Sequence, residues 1–179
     1  YTLAILVREC LDELGLARDV KIFATDVDQD AIHYAATGSY PESIAADVSG
    51  RLLSKYFFRR EENFQVSRAI REMVVFAKHN LIKDPPFTKI ALVSCRNVLI
   101  YLQPVLQRRV LEGFGFSLNR GGLLVLGTSE TPGEMAGSWE VLDTRLKLYR
   151  AKGHGRPQRE PEIGSTATDT RARDLRGRF

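Results

Sequence analysis

Polar side chains follow several apolar runs of this sequence, at the points where predicted strands end. Arg96 and Asn97 lie just past the apolar stretch 90–94, and Asp26 and Asn80 follow two earlier runs. In open parallel sheets, ligands bind outside the carboxyl ends of the strands. Carboxylate and amide groups at that edge can hydrogen-bond the hydroxyls and ring edges of a nucleotide-like ligand. The pattern predicts a ligand site there.

Asp26 admits two interpretations. At the end of the predicted strand 20–25, its carboxylate can accept hydrogen bonds from the hydroxyls of a ribose. It can also cap the helix predicted over 29–37, although Asp28 or Asp30 could do that instead. The sequence alone leaves both interpretations open.

Asn80 admits two interpretations as well. Its amide can donate and accept at once, which suits the edge of an adenine. Asn is also a frequent turn residue, and this feature alone favours the turn.

A further turn of small residues, 127–130, follows a buried strand predicted over 123–126 and ends in the acid Glu130.

Several familiar catalytic and phosphate-binding patterns are absent from the sequence. It contains no GxGxxG, Walker-type, GxSxG or HExxH motif. His33, His79 and His154 are too scattered to predict a catalytic triad or a zinc site, so no metal is expected.

Helices and strands alternate in the predicted order. The elements are helix 3–14, strand 20–25, helix 29–37, strand 90–94, helix 103–118, strand 123–126 and a hairpin of 139–142 with 147–150. The first helix has one apolar face, which consists of Leu3, Leu6, Val7, Cys10, Leu11 and Leu14. The alternation predicts an α/β fold with an open, mostly parallel sheet and an antiparallel strand near the C-terminal end.

The stretch from about 39 to 77 interrupts this alternation. It contains a turn at Tyr40-Pro41, a helix near 48–56 and short strand-like pieces, which predict a small β-subdomain inserted into a domain of residues 1–151. The remainder, 152–179, is rich in Gly, Pro, Arg and Thr and nearly free of large apolar residues. That composition predicts a flexible tail or linker.

Composition narrows the classes of partner. With 44% hydrophobic and 27% charged residues, the chain is typical of a soluble globular protein, and no apolar run is long enough to span a bilayer. The net charge is +4, but residues 151–179 carry seven Lys/Arg against four Asp/Glu and so hold +3 of it. The nearly neutral remainder argues against a nucleic-acid partner. Cys10 and Cys95 are expected to be reduced thiols of a cytoplasmic protein.

Six blocks of sequence, in order, resemble the CheR-type chemoreceptor methyltransferases. They are ATDVD, GSYP, YFF, FAKHNL, SCRNVLIYL and GGLLVLGTSE, of which CRNVLIYL is the most specific. The resemblance runs from Tyr1 to about Ala151. It implies a Rossmann-like class I methyltransferase sheet and bacterial enzymes that use S-adenosylmethionine to methylate glutamate side chains in the cytoplasmic domains of chemotaxis receptors.

The resemblance also implies roles for individual residues. Asp26 would hold the ribose of the cofactor, Asn80 and Leu81 would lie along its adenosine, and Arg96 and Asn97 would flank it. Tyr101 would stand close to the reacting methyl group, where it orients and shields. We expect it to act without accepting a proton, because a glutamate carboxylate is already ionised at neutral pH.

The sequence departs from the family pattern in three places. The family's N-terminal helical domain is not in the chain, nor is the glycine loop before the YTLAIL helix, with the first strand of the sheet. We therefore expect these 179 residues alone to bind S-adenosylmethionine poorly. The connection 59–63 in the β-subdomain is short, which puts docking of a receptor's tethering peptide in doubt.

Three other functions remain as alternatives. The chain could be a catalytically impaired, methyltransferase-like binding module within a larger signalling protein. A nicotinamide-dependent dehydrogenase is a poorer match, because the glycine fingerprint is missing. Nucleic-acid methylation fits poorly with a folded part that is nearly neutral and shows no basic, aromatic groove.

Overall fold

The computed structural model describes residues 1–152, which form two compact units. The tail predicted over 152–179 therefore lies, apart from its first residue, outside the described residues. The first unit comprises residues 1–86 and the second begins at Phe87. The elements of the first are α1 (Thr2–Glu13), β1 (Ile22–Asp26), α2 (Gln29–Thr37), β2 (Ser39–Pro41), α3 (Gly50–Tyr56), β3 (Phe57–Arg60), β4 (Asn63–Val66), α4 (Arg68–Arg71) and β5 (Val74–Lys78). Those of the second are β6 (Ile90–Cys95), α5 (Pro104–Ser117), β7 (Leu118–Leu126), β8 (Trp139–Asp143) and β9 (Leu148–Ala151). Three short 3-10 helices span Glu42–Ala46, Leu99–Tyr101 and Gly133–Ser138.

α1 forms where its apolar periodicity predicts, but it buries a different face. Ala4, Ile5 and Glu9 are buried, whereas Leu3 and Leu6 of the predicted apolar face are 40% and 54% exposed. The buried face carries a polar contact as well as apolar ones, because side chains of α3 bind the Glu9 carboxylate. Ala4 and Ile5 then pack into the core of the first unit, whose other buried members are Tyr56, Val66 and Ile70.

α2 begins and ends as its sequence predicts. Asp28 caps the helix, since its Oδ1 accepts from the backbone N–H of Asp30 at 2.8 Å and of Ala31 at 3.4 Å. Gly38 ends it in the left-handed conformation, with φ of 64°.

Two sheets lie in the first unit. β1 and β5 pair in parallel, from Ile22 with Val74 to Asp26 with Lys78. β2, β4 and β3 form a separate antiparallel sheet, in the region where a small β-subdomain is predicted. The prediction extended that region to residue 77 and so included β5, but its pairing with β1 places β5 in the parallel sheet. β3 and β4 form a hairpin whose last pair is Arg60 with Asn63. The turn between them is tight, and Glu61 in it has φ of 55°.

The second unit contains a four-stranded sheet in the order β6-β7-β9-β8. β6 and β7 are parallel and are joined through α5, which begins with Pro104 in its first turn. β9 runs antiparallel to both β7 and β8, so the predicted C-terminal hairpin is confirmed. β7 starts at Leu118, earlier than predicted, and its pairing with β6 shifts register between Ile90 and Leu92.

Candidate functional site

In the first unit, the carboxyl ends of β1 and β5 bring two of the predicted positions to one sheet edge. Asp26 is the last residue of β1 and lies opposite Lys78, the last residue of β5. The backbone N–H of His79 continues the ladder by donating to the carbonyl oxygen of Asp26 at 2.9 Å. Asn80 follows directly, so it leaves the sheet at the same edge as Asp26.

The Asp26 side chain is exposed and is not the cap of α2. Its Oδ1 accepts from the backbone N–H of Asp28 at 3.0 Å, which steadies the carboxylate in the turn after β1. Asp28 supplies the cap. Of the two interpretations, capping therefore belongs to Asp28, and the binding of ribose by Asp26 stays a prediction.

The Asn80 side chain organises the turn that follows β5. Its Oδ1 accepts from the backbone N–H of Ile82 at 2.9 Å and of Lys83 at 3.1 Å, while the backbone N–H of Asn80 donates to Asp84 Oδ2 at 2.7 Å. The turn interpretation is confirmed. A contact with an adenine would have to use the side-chain amide nitrogen as a donor, and that role stays a prediction, as does the role of half-buried Leu81.

In the second unit, β6 runs one residue further than predicted, to Cys95, before the chain turns. Arg96 is exposed, and Asn97 is in the left-handed region with φ of 58°. The chain then forms the 3-10 turn Leu99–Tyr101, which buries Leu99 and leaves the Tyr101 side chain 81% exposed. Arg96, Asn97 and Tyr101 thus come from one short segment at the carboxyl end of β6.

Glu130 holds the start of this segment, 95–101, from the turn after β7. Its Oε2 accepts from the backbone N–H of Asn97 at 3.0 Å and of Gly127 at 2.6 Å. Its Oε1 accepts from the backbone N–H of Val98 at 2.8 Å and of Leu99 at 2.7 Å. The Glu130 residue is only 3% exposed, so a buried carboxylate is compensated by four amide donors.

Gln107 of α5 holds the other end of the same segment. Its Nε2 donates to the carbonyl oxygens of Leu99 and Leu102, both at 3.0 Å. Tyr101 lies between these two residues. Its backbone is therefore fixed through the carbonyls on either side, although the phenol itself faces outward.

The charge on Glu130 shapes the titration of its surroundings. Burial acts to raise its pKa, but the hydrogen bonds from the backbone of Gly127, Asn97, Leu99 and Val98 outweigh burial and lower it. Burial, together with the negative charge of Glu130, raises the pKa of the Cys95 thiol to about 12. Glu130 is thus a carboxylate and Cys95 a neutral thiol at pH 7.

Sequence reasoning identified the turn 127–130 but assigned Glu130 no role, and it passed over Gln107. No local signal marked Glu130, because an acid that follows a buried strand and three small residues is expected to be exposed. Within residues 1–152, no group of three or more His, Cys, Asp or Glu side chains is arranged to hold a metal ion. No helix in this part of the chain is long and apolar enough to cross a membrane.

Several known proteins that are similar to this chain are chemotaxis protein methyltransferases. A family model described as the CheR methyltransferase, S-adenosylmethionine-binding domain, matches residues 1–147. The chain is 33% identical over 134 residues to a chemotaxis protein methyltransferase of Borreliella burgdorferi, covering 73% of this chain and 47% of that protein. It is 31% identical over 140 residues to chemotaxis protein methyltransferase 2 of Vibrio cholerae, covering 76% and 49%.

A third relative is much longer. The chain is 40% identical over 151 residues to an uncharacterized 104.1 kDa protein of the hypE 3' region of Rhodobacter capsulatus, covering 84% of this chain and 16% of that protein. The chain thus spans about half the length of the two chemotaxis relatives and a small part of this one.

The family match agrees with the architecture. In the first unit β1 and β5 pair in parallel. In the second unit β6 and β7 pair in parallel and β9 runs antiparallel to β7. This mixed α/β content is the one predicted for a Rossmann-like methyltransferase. S-adenosylmethionine is the cofactor of this type of domain. Since the family model matches most of its length, this chain belongs to the CheR methyltransferase family, through its S-adenosylmethionine-binding domain.

Proposed function

We propose that the protein transfers the methyl group of S-adenosylmethionine to glutamate side chains of a chemoreceptor's cytoplasmic domain. The observation that carries the proposal is the state of Asp26. It ends β1 with an exposed carboxylate, and Asp28 has taken over the helix cap that would otherwise account for an acid at this position. An acid at the carboxyl edge of such a strand is suited to the two hydroxyls of a ribose.

The chemistry of the predicted residues fits this cofactor. The Asp26 carboxylate accepts from hydroxyl groups, the Asn80 amide nitrogen can donate to a ring nitrogen, and half-buried Leu81 offers apolar surface to an adenosine. In the second unit, Arg96 and Asn97 bring donors that suit the cofactor's polar groups. We assign all five to cofactor binding.

The reaction needs alignment more than acid–base chemistry. When bound, the cofactor supplies a methyl group already activated by its positive sulfur. A receptor glutamate, with a reference pKa of about 4.3, is ionised at neutral pH and is itself the nucleophile. A carboxylate oxygen would bond to the methyl carbon while the carbon–sulfur bond breaks and its electron pair stays on sulfur, which would yield a neutral methyl ester and neutral S-adenosylhomocysteine.

Tyr101 is suited to orient the incoming carboxylate. Its phenol is exposed on a turn whose backbone is fixed by Gln107, so the O–H can donate to a carboxylate oxygen and the ring can exclude water. Holding reacting atoms roughly 3 Å apart is worth several kcal/mol of barrier. We assign Tyr101 this positioning contact with the substrate, in a reaction located in the cytoplasm.

Cofactor binding tests the proposal. In the full-length protein, Asp26→Asn should raise the Kd for S-adenosylhomocysteine, measured by isothermal titration, by roughly tenfold, because a charged acceptor is lost. Asp30→Asn, an exposed acid in the first turn of α2, is the matched control and should leave Kd unchanged. Equal affinities of both variants and the wild type would reject the assignment of Asp26.

The long relative from Rhodobacter capsulatus favours a second candidate. Because this chain matches only 16% of it, such a domain can lie within a large protein, where it could bind S-adenosylmethionine without transferring the methyl group. Binding of S-adenosylhomocysteine together with no methyl transfer to any receptor fragment would favour this candidate over the enzyme.

A further inference from the structure

The backbone amides of residues 97–99 converge on one buried side chain, that of Glu130. We propose that Glu130 is a positioning residue of the methyl-transfer site, which fixes the backbone of residues 97–99 and so the directions in which Asn97 and Tyr101 present their side chains. The catalytic consequence rests on the proposed function, whereas the contact itself does not.

Both carboxylate oxygens are saturated by backbone donors. Oε2 takes the N–H of Asn97 and Gly127, and Oε1 takes those of Val98 and Leu99, at 2.6 to 3.0 Å. Three of the four donors lie 31 to 33 positions earlier in the sequence. Glu130 therefore fastens the turn after β7 to the segment after β6, the neighbouring parallel strand.

The segment has a conformation that needs such support. Asn97 has φ of 58°, a left-handed conformation that Asn adopts more readily than most residues with a side chain but that still costs free energy unless surrounding contacts compensate. Three consecutive amides must also point at one acceptor. A bare turn has no reason to adopt this arrangement, whereas a buried anion supplies one.

Gly127 shows how closely the two segments approach. A Cβ on Gly127 would lie 2.6 Å from both Asn97 Oδ1 and Glu130 Oε2, and 2.9 Å from the backbone nitrogen of Asn97. A side chain at this position would therefore push Asn97 away from Glu130. The contact also places the Asn97 side-chain oxygen against Gly127, so one segment sets the rotamer of the other.

Gln107 completes the restraint on Tyr101. Glu130 fixes the amides on the N-terminal side of the 3-10 turn, and Gln107 fixes the carbonyl oxygens of Leu99 and Leu102. The exposed phenol of Tyr101 is thus presented by a backbone restrained at both ends. Loss of Glu130 would release only the first of these restraints.

Two variants disturb the contact in different ways. Glu130→Gln keeps the shape of the side chain but replaces one oxygen by an NH2 group. In either orientation of the amide, this donor faces two backbone N–H groups, which are donors as well. Gly127→Ala keeps the charge and inserts a methyl group into the contact. Their matched controls are Glu134→Gln, at an exposed acid, and Gly137→Ala, where a Cβ meets nothing within 4 Å.

Three measurements on the full-length protein test the proposal. Amide hydrogen exchange at residues 97–99 should accelerate in both variants while that of α5 stays slow, and both controls should match the wild type. The Kd for S-adenosylhomocysteine should rise roughly tenfold, as expected for unpaired buried groups. Tyr101→Phe should lower kcat less in the Glu130→Gln background than in the wild type, because the two residues act as a unit.

The outcomes separate this proposal from the proposed function. If the wild type does not bind S-adenosylhomocysteine, the function is wrong, and exchange at residues 97–99 still tests the contact. If the wild type binds but both variants keep its Kd and kcat, Glu130 has no positioning role and the function stands. Additive effects of Glu130→Gln and Tyr101→Phe on kcat would also overturn the proposal. Should Glu130→Gln fail to fold, Gly127→Ala carries the same tests.

Discussion

The Tyr56 hydroxyl donates a hydrogen bond to Glu9 Oε1 at 2.6 Å, which joins α1 to the end of α3 across 47 positions of the sequence. Lys55 Nζ lies 2.6 Å from the same oxygen, and Arg51 reaches Oε2 at 2.5 Å. Hydrogen bonds from Lys55, then Tyr56 and Arg51, lower the pKa of Glu9 from 4.5 to about 2. This buried carboxylate therefore stays ionised in the folded protein well below neutral pH.

Glu9→Gln should destabilise the first unit, because Lys55 and Arg51 lose their anion. The difference in free energy of unfolding between wild type and variant should be constant from pH 7 to about pH 5. The folded pKa lies below the unfolded one, so this contribution is present above 4.5 and is lost as pH falls toward 2. Urea denaturation at a series of pH values measures it. Glu13→Gln, at an exposed acid of the same helix, should show no such pH-dependent difference.

Gly38→Ala should destabilise the protein by about 1–2 kcal/mol, because an L residue at φ of 64° is strained. Its Cβ would also lie 3.3 Å from Arg71 Cδ and Gln65 Nε2. Gly15→Ala, with the same φ but nothing within 4 Å, isolates the cost of the backbone. The melting temperature of Gly38→Ala should lie below that of Gly15→Ala. The reverse order would contradict the crowding around Gly38 at the end of α2.

The two cysteines should differ in reactivity. Cys10 is exposed, whereas Cys95 is buried with a pKa raised to about 12 and so has almost no thiolate at pH 8. Iodoacetamide at pH 8, followed by peptide mass spectrometry, should label Cys10 first and Cys95 only on unfolding. Glu130→Gln, which removes the negative charge beside Cys95, should speed its labelling. Equal rates for both thiols in the folded protein would contradict the burial of Cys95.

Tyr101→Phe should lower kcat for methyl transfer by roughly two- to tenfold, the kinetic equivalent of one hydrogen bond. The Kd for S-adenosylhomocysteine should stay unchanged, because the exposed phenol is assigned to the substrate. Steady-state kinetics and titration of the same full-length variant provide both numbers. An unchanged kcat would reject the role of Tyr101, and a weakened Kd would reassign it to the cofactor.

Local patterns in the sequence predicted most elements, because caps and periodicity are local. Asp28 and Gly38 bound α2, and Pro104 opens α5. The prediction of which face of α1 is buried was wrong. Glu9 lies on the buried face because it binds residues more than 40 positions away, and no helical pattern reveals such partners. The pairing of β5 with β1 was not predicted for the same reason, because it joins residues that lie far apart in the sequence.

The candidate site divides in the same way. Residues at strand ends, such as Asp26 and Asn97, can be found from the sequence because their polarity contrasts with the apolar run before them. The residues that hold them in place cannot, because their partners are backbone groups far along the chain. Glu130 is the main case: its type and neighbours predict an exposed turn, and only the fold shows that it is buried among four amides.

Transfer of a labelled methyl group tests the central claim most directly. The full-length protein would be incubated with radiolabelled S-adenosylmethionine and the cytoplasmic fragment of a chemoreceptor from the same cell. The proposed function predicts label on receptor glutamates as a methyl ester that releases methanol in mild base, and none on a receptor whose target glutamates are replaced by alanine. Base-stable label, or a receptor left unlabelled by a protein that binds S-adenosylhomocysteine, would contradict it.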